Sequence, residues 1–251
     1  MIPRFNRGLV VGKFAPLHLG HEYLVHTAMA ECHEVLIISY SLPEPDGCPP
    51  HRRERWLDTR FPACRTLVAT PERVHAWQRE GKAVMSMPAN DAPDDRHRLF
   101  VAQLCLEVLG TTVDAVFTSE AYGDGFARVL TREFGVHGAG PVTHVEVDRA
   151  RRRVPISGTA LRADPHGLRH FLSADVHADF VQRVCLLGGE STGKTTLART
   201  LAAALGSPCV EEYGRACWHE RNGQLAYEDM LHIARTQVAL EDTATQSSGG
   251  H

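Results

Sequence analysis

The sequence lacks several features that mark whole classes of protein. Its seven cysteines include no C-x-x-C pair, which argues against structural zinc and indicates reduced thiols in a cytoplasmic protein. It has no long apolar run and no signal-like N-terminus, so we expect neither export nor a membrane span. A net charge of -3 and a single short basic run, Arg149 to Arg153, argue against a nucleic-acid-binding surface. We predict that this run is a solvated loop or a rim that attracts phosphate.

The G-x-G-x-x-G fingerprint of dinucleotide-binding dehydrogenases is also missing. Apolar runs nevertheless alternate with helical patterns, which predicts a parallel sheet built from βαβ units. We expect strands at residues 9–11, 35–40, 67–69, 83–87, 113–118 and 142–147, and a helix over residues 98–109. The first part of the chain is therefore predicted to be an α/β, Rossmann-like domain that binds a nucleotide as its substrate.

A glycine turn with two histidines follows the first predicted strand. It reads Gly12-Lys13-Phe14-Ala15-Pro16-Leu17-His18-Leu19-Gly20-His21. The N–H groups and positive dipole end of the helix that begins there favour anions. Lys13 adds a mobile positive charge, and the imidazoles can donate to phosphoryl oxygens as negative charge develops on them. We predict a polyphosphate site in which Lys13, His18 and His21 are catalytic. The expected nucleotide contacts in this turn are Gly12, Phe14 and Ala15.

A second phosphate-binding pattern lies far downstream, in Pro155-Ile156-Ser157-Gly158-Thr159-Ala160-Leu161-Arg162. Small hydroxyl residues at a helix start satisfy its free N–H groups and can also bind phosphate. Arg162, one turn further on, adds a planar cation suited to two phosphate oxygens. We predict that Ser157 and Thr159 bind nucleotide and that Arg162 is catalytic. Ser119 is a further candidate, because it directly follows the strand predicted over residues 113–118.

A third pattern follows the apolar run at residues 184–187. It matches G-x-x-x-x-G-K-[ST] between a predicted strand and a predicted helix. Glycines in such a loop let backbone N–H groups surround phosphates, and Lys194 would reach the β and γ oxygens. Thr195 would hold the Mg²⁺ that accompanies ATP. The predicted P-loop residues are Gly188, Gly189, Glu190, Ser191, Thr192, Gly193, Lys194 and Thr195.

Together these motifs resemble those of one family. The first resembles the HxGH signature of the adenylyl/cytidylyltransferase superfamily, and the second its ISSTxxR motif with Gly158 in place of a serine. A P-loop close behind such a domain is similar to the NadR type of bifunctional nicotinamide-nucleotide adenylyltransferase and ribosylnicotinamide kinase. Residues 116–120, 165–180 and 211–216 are similar to that family as well. The resemblance implies adenylyl transfer from ATP to nicotinamide mononucleotide, giving NAD⁺ and pyrophosphate, and a kinase acting on nicotinamide riboside.

The resemblance also implies two domains. Residues 1–180 would form the adenylyltransferase domain, and residues 181–251 the N-terminal part of a P-loop kinase domain. Only about 63 residues remain from Gly188 onward, fewer than the roughly 100–200 of a typical domain. They supply expected strands at 184–187 and 209–213 and a helix over 227–242, but no later strand ending in an Asp for Mg²⁺. We therefore expect an incomplete kinase module.

The residues that would recognise the acceptor carry a weaker signal. In the family an Arg-Trp element near residues 52–56 lies close to the nucleotide. Several relatives also carry tryptophans where this chain has residues 87–98, a stretch that contains none. Trp56, Trp77 and Phe100 remain candidates to stack on the nicotinamide ring. The predicted acceptor contacts are Arg52, Arg55, Trp56, Asn90 and Asp91.

Two other functions stay open. Another transferase of the superfamily, acting on pantetheine phosphate or using CTP, would share the first two motifs but is not expected to continue into residues 188–195. A non-catalytic sensor of nicotinamide nucleotides fits a short kinase module, but not an intact set of catalytic residues. Neither nucleic acid nor membrane is an expected partner, and homo-oligomerisation is left open.

Overall fold

A computed structural model of the protein describes residues 3–247 and divides into two compact units, the second beginning at Ser173. The first unit holds a five-stranded sheet in the order β3-β2-β1-β4-β5, in which every adjacent pair is parallel. Its strands are β1 (Phe5–Gly12), β2 (Cys32–Ser39), β3 (Arg65–Val68), β4 (Ala115–Thr118) and β5 (Thr143–Glu146). The predicted α/β, Rossmann-like class is confirmed.

Helices connect and follow these strands. They are α1 (Leu19–Glu31), α2 (Pro50–Arg60), α3 (Pro71–Arg79), α4 (Asp94–Gln103), α5 (Gly123–Gly135) and α6 (Gly158–Ala163). The predicted helix over residues 98–109 corresponds to the end of α4 and a π-helical turn, Leu104–Val108. No helix within residues 3–247 is long and apolar enough to cross a membrane.

Strand β1 lies at the centre of the sheet because it is apolar on both faces. Leu9 and Val10 are fully buried, as strands of a parallel sheet covered by helices require. Gly8 permits close packing there, since a Cβ atom would lie 2.6 Å from the Sγ atom of Cys32 and 2.9 Å from the Phe117 ring. From β1 the chain builds β2 and β3 on one side, then returns to build β4 and β5 on the other. In folds with such a reversal of strand order, ligands bind in the crevice at the carboxyl ends of the two strands concerned, which here are β1 and β4.

The strand predicted at residues 83–87 is wrong. Side chains replace a sheet ladder there: the Met85 N–H donates to Gln103 Oε1 at 2.8 Å, and the Val84 carbonyl accepts from Gln78 Nε2 at 2.8 Å. Val84 and Met87 are buried all the same. An apolar run therefore predicted burial correctly, but not the hydrogen-bonding partner of its backbone.

The second unit, as far as it is described, consists of helices. They are α7 (Ala174–Ala178), α8 (Lys194–Leu205), α9 (Tyr213–Glu220) and α10 (Tyr227–Ser247). The helix expected over residues 227–242 is present, whereas the strands expected at 184–187 and 209–213 are wrong. Neither segment joins a ladder within the described chain, and Val184 and Leu187 are 77% and 88% exposed. The domain assignment for residues 181–251 extends past the described residues and stays a prediction.

Candidate active site

The two histidines of the first motif are held by the start of α1. His18 has extended backbone geometry at the N-cap, and its Nδ1 accepts the His21 backbone N–H at 3.3 Å. The two imidazoles stack with centroids 3.7 Å apart and an interplanar angle of 18°. A Cβ atom at Gly20 would lie 3.1 Å from the His18 ring, so the small residue between the histidines leaves room for this ring. The spacing of the motif thus places both rings side by side.

Both imidazoles are neutral at pH 7. Burial lowers the pKa of His18 to about 4, and the positive charge of Arg151 adds to the effect. Burial also holds the pKa of His21 well below its usual value, with His18 and Arg151 contributing. Because Nδ1 of His18 accepts a backbone N–H, its ring proton lies on Nε2. Nδ1 of His21 is buried and has no hydrogen-bond partner among the described residues.

The loop between β1 and α1 presents Lys13 to solvent. Phe14, which follows it, is fully buried in the left-handed backbone region with φ of 48° and packs on His21 with ring centroids 4.9 Å apart. Desolvation of the Lys13 ammonium lowers its pKa, and the charge of Arg162 lowers it further, whereas the carboxylate of Glu120 opposes this shift. Lys13 of the first motif therefore interacts electrostatically with Arg162 of the second motif and with the carboxylate of Glu120.

The second motif contacts the first directly. Nη1 of Arg162 donates to the carbonyl oxygen of Ala15, and Nη2 donates to Oγ1 of Thr159 at 3.2 Å. Ser157 caps α6, accepting the Ala160 N–H at 3.2 Å. A Cβ atom at Gly158 would lie 3.1 Å from the Ala15 oxygen and 3.2 Å from Nη1 of Arg162. Glycine at the position where the family motif has serine thus lets the arginine reach the first loop.

The residues directly after β4 lie at the carboxyl end of that strand, on the same edge of the sheet as the loop after β1. Ser119 follows this strand directly and is partly buried, while the preceding Thr118 shares a hydrogen bond of 2.9 Å with Nε2 of His144. Nδ1 of His144 in turn lies 2.7 Å from Oδ1 of Asp124. Sequence patterns did not single out His144, because 26 residues separate it from Thr118 and only the β4–β5 pairing brings them together.

A buried arginine braces the loop between β1 and α1, and it is neither of the two arginines predicted. Arg53 is fully buried; it donates to Ser39 Oγ at 2.7 Å and to the Lys13 carbonyl at 3.2 Å, and it pairs with Glu44 at 2.5 Å. Arg53, Trp56 and Leu57 share the buried face of α2. This i, i+3, i+4 spacing was the available signal that Arg53 points inward.

The five residues predicted to contact the acceptor differ in burial and in hydrogen-bond partners. Trp56 is 1% exposed, which points to packing instead of a ligand contact. Asn90 braces the segment after β2: it accepts from Ser41 Oγ at 3.1 Å and donates to the Pro43 carbonyl at 2.9 Å. Arg52 donates to the Gly47 carbonyl at 3.0 Å. The two remaining candidates lie on the surface: Arg55 and Asp91.

The predicted P-loop of the second unit lies directly before a helix, although the strand expected in front of it is absent from the described residues. Ser191 and Gly193 have positive φ values of 55° and 84°, and α8 begins directly at Lys194. Nζ of Lys194 donates to the Gly189 carbonyl at 2.6 Å, as does Thr192 Oγ1 at 2.9 Å. Bound phosphate would compete with that carbonyl for Lys194. Residues 3–247 contain no cluster of three or more His, Cys, Asp or Glu suited to a metal ion.

Comparisons with known proteins agree with these motifs. A family model described as an AAA domain matches residues 183–250. The trifunctional NAD biosynthesis/regulator protein NadR of Escherichia coli is 30% identical over 257 residues, which cover 95% of this chain and 57% of that protein. The same protein of Salmonella typhimurium is 30% identical, covering 96% and 58%. The chain is a homologue of NadR. It spans a little over half the length of these two NadR proteins.

Solved structures show the shared fold. A crystal structure of NadR protein in complex with NR aligns with a TM-score of 0.67 at 21% identity, covering 98% of this chain and 65% of that one. Another, of NadR protein in complex with NAD and AMP-PNP, aligns with a TM-score of 0.65 at 23% identity, covering 98% and 67%. A probable nicotinate-nucleotide adenylyltransferase of Acidithiobacillus ferrooxidans is 34% identical over 76 residues, or 28% of this chain.

Proposed function

We propose that the first unit transfers the adenylyl group of ATP to nicotinamide mononucleotide, giving NAD⁺ and pyrophosphate. The convergence of Lys13, His18, His21 and Arg162 at the β1–β4 crevice carries this proposal. Homology to NadR, whose name denotes NAD biosynthesis and regulation, supports this choice of acceptor. A phosphate oxygen of the mononucleotide attacks the α-phosphorus of ATP in line. The bond from that phosphorus to the bridging oxygen breaks, and pyrophosphate leaves with the electron pair.

The side chains stabilise negative charge on the phosphates and do not act as nucleophiles. Neutral imidazole N–H groups of His18 and His21 donate to phosphoryl oxygens whose negative charge increases during the transfer. Lys13 and Arg162 supply positive charge to the polyphosphate, and the hydrogen bond from Arg162 to the Ala15 carbonyl keeps its guanidinium next to the loop. Mg²⁺ enters with ATP and neutralises part of the phosphate charge. No covalent enzyme intermediate is required.

The test is an assay of pyrophosphate release by the whole 251-residue protein. ATP with Mg²⁺ is combined in turn with nicotinamide mononucleotide, nicotinate mononucleotide and pantetheine phosphate, and CTP replaces ATP in a parallel set. We expect the fastest turnover with ATP and nicotinamide mononucleotide. Preference for pantetheine phosphate or for CTP would assign another transferase activity. Nucleotide binding without pyrophosphate release from any pair would favour a sensor.

A matched pair of variants ties the activity to the site. His21→Ala removes a ring from the stack, whereas His33→Ala changes an exposed histidine on β2. Activity should fall in the first variant and persist in the second. Equal activity of the two variants would place the chemistry elsewhere.

We propose a lesser role for the second unit. Its P-loop amides and Lys194 suffice to bind the phosphates of a nucleotide, with Thr195 placed to reach an accompanying Mg²⁺. Phosphoryl transfer to nicotinamide riboside also needs an Asp on a neighbouring strand and an acceptor held in line. Residues 173–247 contain no strand, so we propose nucleotide binding without riboside phosphorylation.

A further inference from the structure

The basic run at residues 149–153 forms an ordered turn around one carboxylate. Asp148 accepts three backbone N–H bonds, from Arg152 at 2.9 Å, Arg153 at 3.0 Å and Val154 at 3.3 Å. Its own carbonyl accepts the Arg151 N–H at 2.7 Å. Asp148 and Arg151 both lie in the left-handed region, with φ of 47° and 49°. Non-glycine residues seldom adopt this conformation, and where they do it often serves a site.

The side chains of this turn serve different partners. Arg149 lies 3.4 Å from the carboxylate of Glu146, and Arg153 lies over the Tyr23 ring, 5.5 Å from its centroid. Arg151 instead approaches the crevice: its guanidinium is 3.8 Å from the carboxylate of Glu120, which follows β4. The turn therefore delivers one particular arginine to the edge where the phosphate motifs meet.

Two electrostatic effects place Arg151 among the groups of the site. Its positive charge is one of the causes that lower the pKa of both His18 and His21. Glu120, its partner, acts in turn on the pKa of Lys13. The charge of Arg151 thus acts on both histidines of the site, and its partner Glu120 supplies a negative charge among these cations.

The ion pair between Arg151 and Glu120 is weak, so another anion can replace the carboxylate. The two side chains are 44% and 53% exposed and separated by 3.8 Å, and pairs of this kind contribute little to stability. A triphosphate carries several negative charges and offers oxygens suited to the fork of an arginine. Phosphate oxygens can therefore replace the carboxylate at small cost.

We propose that Arg151 is a polyphosphate-binding residue of the adenylyl-transfer site, and that Glu120 holds it until the phosphates of the nucleotide take its place. The proposal rests on the function proposed above, because it assumes that the site binds ATP. It assigns to one arginine of the basic run a role beyond that of a general phosphate-attracting rim.

The test compares two variants that break the same ion pair. Arg151→Ala should raise the KM for ATP about tenfold and leave the KM for nicotinamide mononucleotide unchanged, with Arg151→Lys in between. Glu120→Gln should lower the KM for ATP severalfold, because it removes a competitor for Arg151. If Arg151 only braced the loop after β4 through Glu120, both variants would raise the KM. That result would overturn the proposal.

Arg153→Ala is the matched control, since it removes an arginine of the same turn that lies over Tyr23. It should leave both KM values unchanged, and equal effects of Arg151→Ala and Arg153→Ala would also refute the assignment. Circular dichroism of each variant checks its folding.

A binding measurement distinguishes a failure of this proposal from a failure of the proposed reaction. Affinity for inorganic triphosphate is measured in a Lys194→Ala background, which weakens binding at the P-loop. If no acceptor yields pyrophosphate but Arg151→Ala still weakens triphosphate binding about tenfold, the proposed reaction fails and the Arg151 site stands. Unchanged triphosphate affinity in Arg151→Ala would refute the site itself.

Discussion

His18 should make the stability of the protein depend on pH. Burial lowers its pKa to about 4 in the folded protein, whereas the ordinary value of 6.5 applies to the unfolded chain. Between these values the unfolded chain binds a proton that the folded protein does not. The free energy of unfolding therefore falls as the pH falls from about 6.5 towards 4, and it is least affected above pH 7.

The size of the effect follows from the two pKa values. A pKa difference of one corresponds to about 1.36 kcal/mol, so the complete loss below pH 4 is about 3.4 kcal/mol. At pH 5 about 2 kcal/mol of this is already lost, compared with about 0.2 kcal/mol at pH 7. Such a change is a large share of the 5–15 kcal/mol typical of a folded domain.

The measurement is urea unfolding at pH 7 and pH 5, followed through tryptophan fluorescence to which the buried Trp56 contributes. His18→Asn keeps an N-cap acceptor for α1 but does not titrate. The wild-type protein should lose about 2 kcal/mol more than this variant between the two pH values. His33→Asn, at an exposed position, should behave like wild type. An equal loss in wild type and His18→Asn would refute the reasoning.

Three further outcomes can be checked. His21→Ala should lower kcat about 10²–10³-fold with both substrates saturating, because a preorganised donor to developing charge is removed; near-normal kcat would exclude that role. Glu44→Ala leaves the fully buried Arg53 without its carboxylate, so the free energy of unfolding should fall by about 3 kcal/mol. The control Glu54→Ala, which breaks a partly exposed ion pair with Arg73, should lose less than about 1 kcal/mol. Similar losses in these two variants would contradict the bracing role. The 251-residue protein should form no riboside-dependent ADP, and robust formation abolished by Lys194→Ala would reverse that expectation.

Local patterns predicted the parts of the first unit whose structure depends on nearby residues. The apolar runs at residues 9–11, 35–40 and 113–118 overlap with β1, β2 and β4, and the His18 cap follows from four consecutive residues. The run at 83–87 misled because an apolar segment can be buried while side chains satisfy its backbone. The runs at 184–187 and 209–213 have strand-like composition, but a strand also requires a partner.

The residues that sequence analysis did not identify at the site contact residues far away along the chain. Arg53 reaches the Lys13 carbonyl across 40 residues, and His144 reaches Thr118 across 26. Neither belongs to a motif, and only the α2 spacing carried a hint that Arg53 is inward-facing. Arg151 was noticed as part of a charged run, yet its direction depends on the turn around Asp148. Motifs thus predicted which residues form the candidate site, and tertiary contacts determine how those residues are supported.

The contact between Arg162 and Ala15 also sets the order in which the site can be completed during synthesis. The two residues are 147 positions apart, so the loop that carries Lys13 leaves the ribosome long before its guanidinium partner. At about 5–20 residues per second, the interval is roughly 7–30 s. During that time β1 can pair with β2, its neighbour in sequence, but the loop that carries Lys13 still lacks its contact with Arg162. A nascent chain arrested before residue 162 should therefore hold its first strands in place and still bind nucleotide poorly.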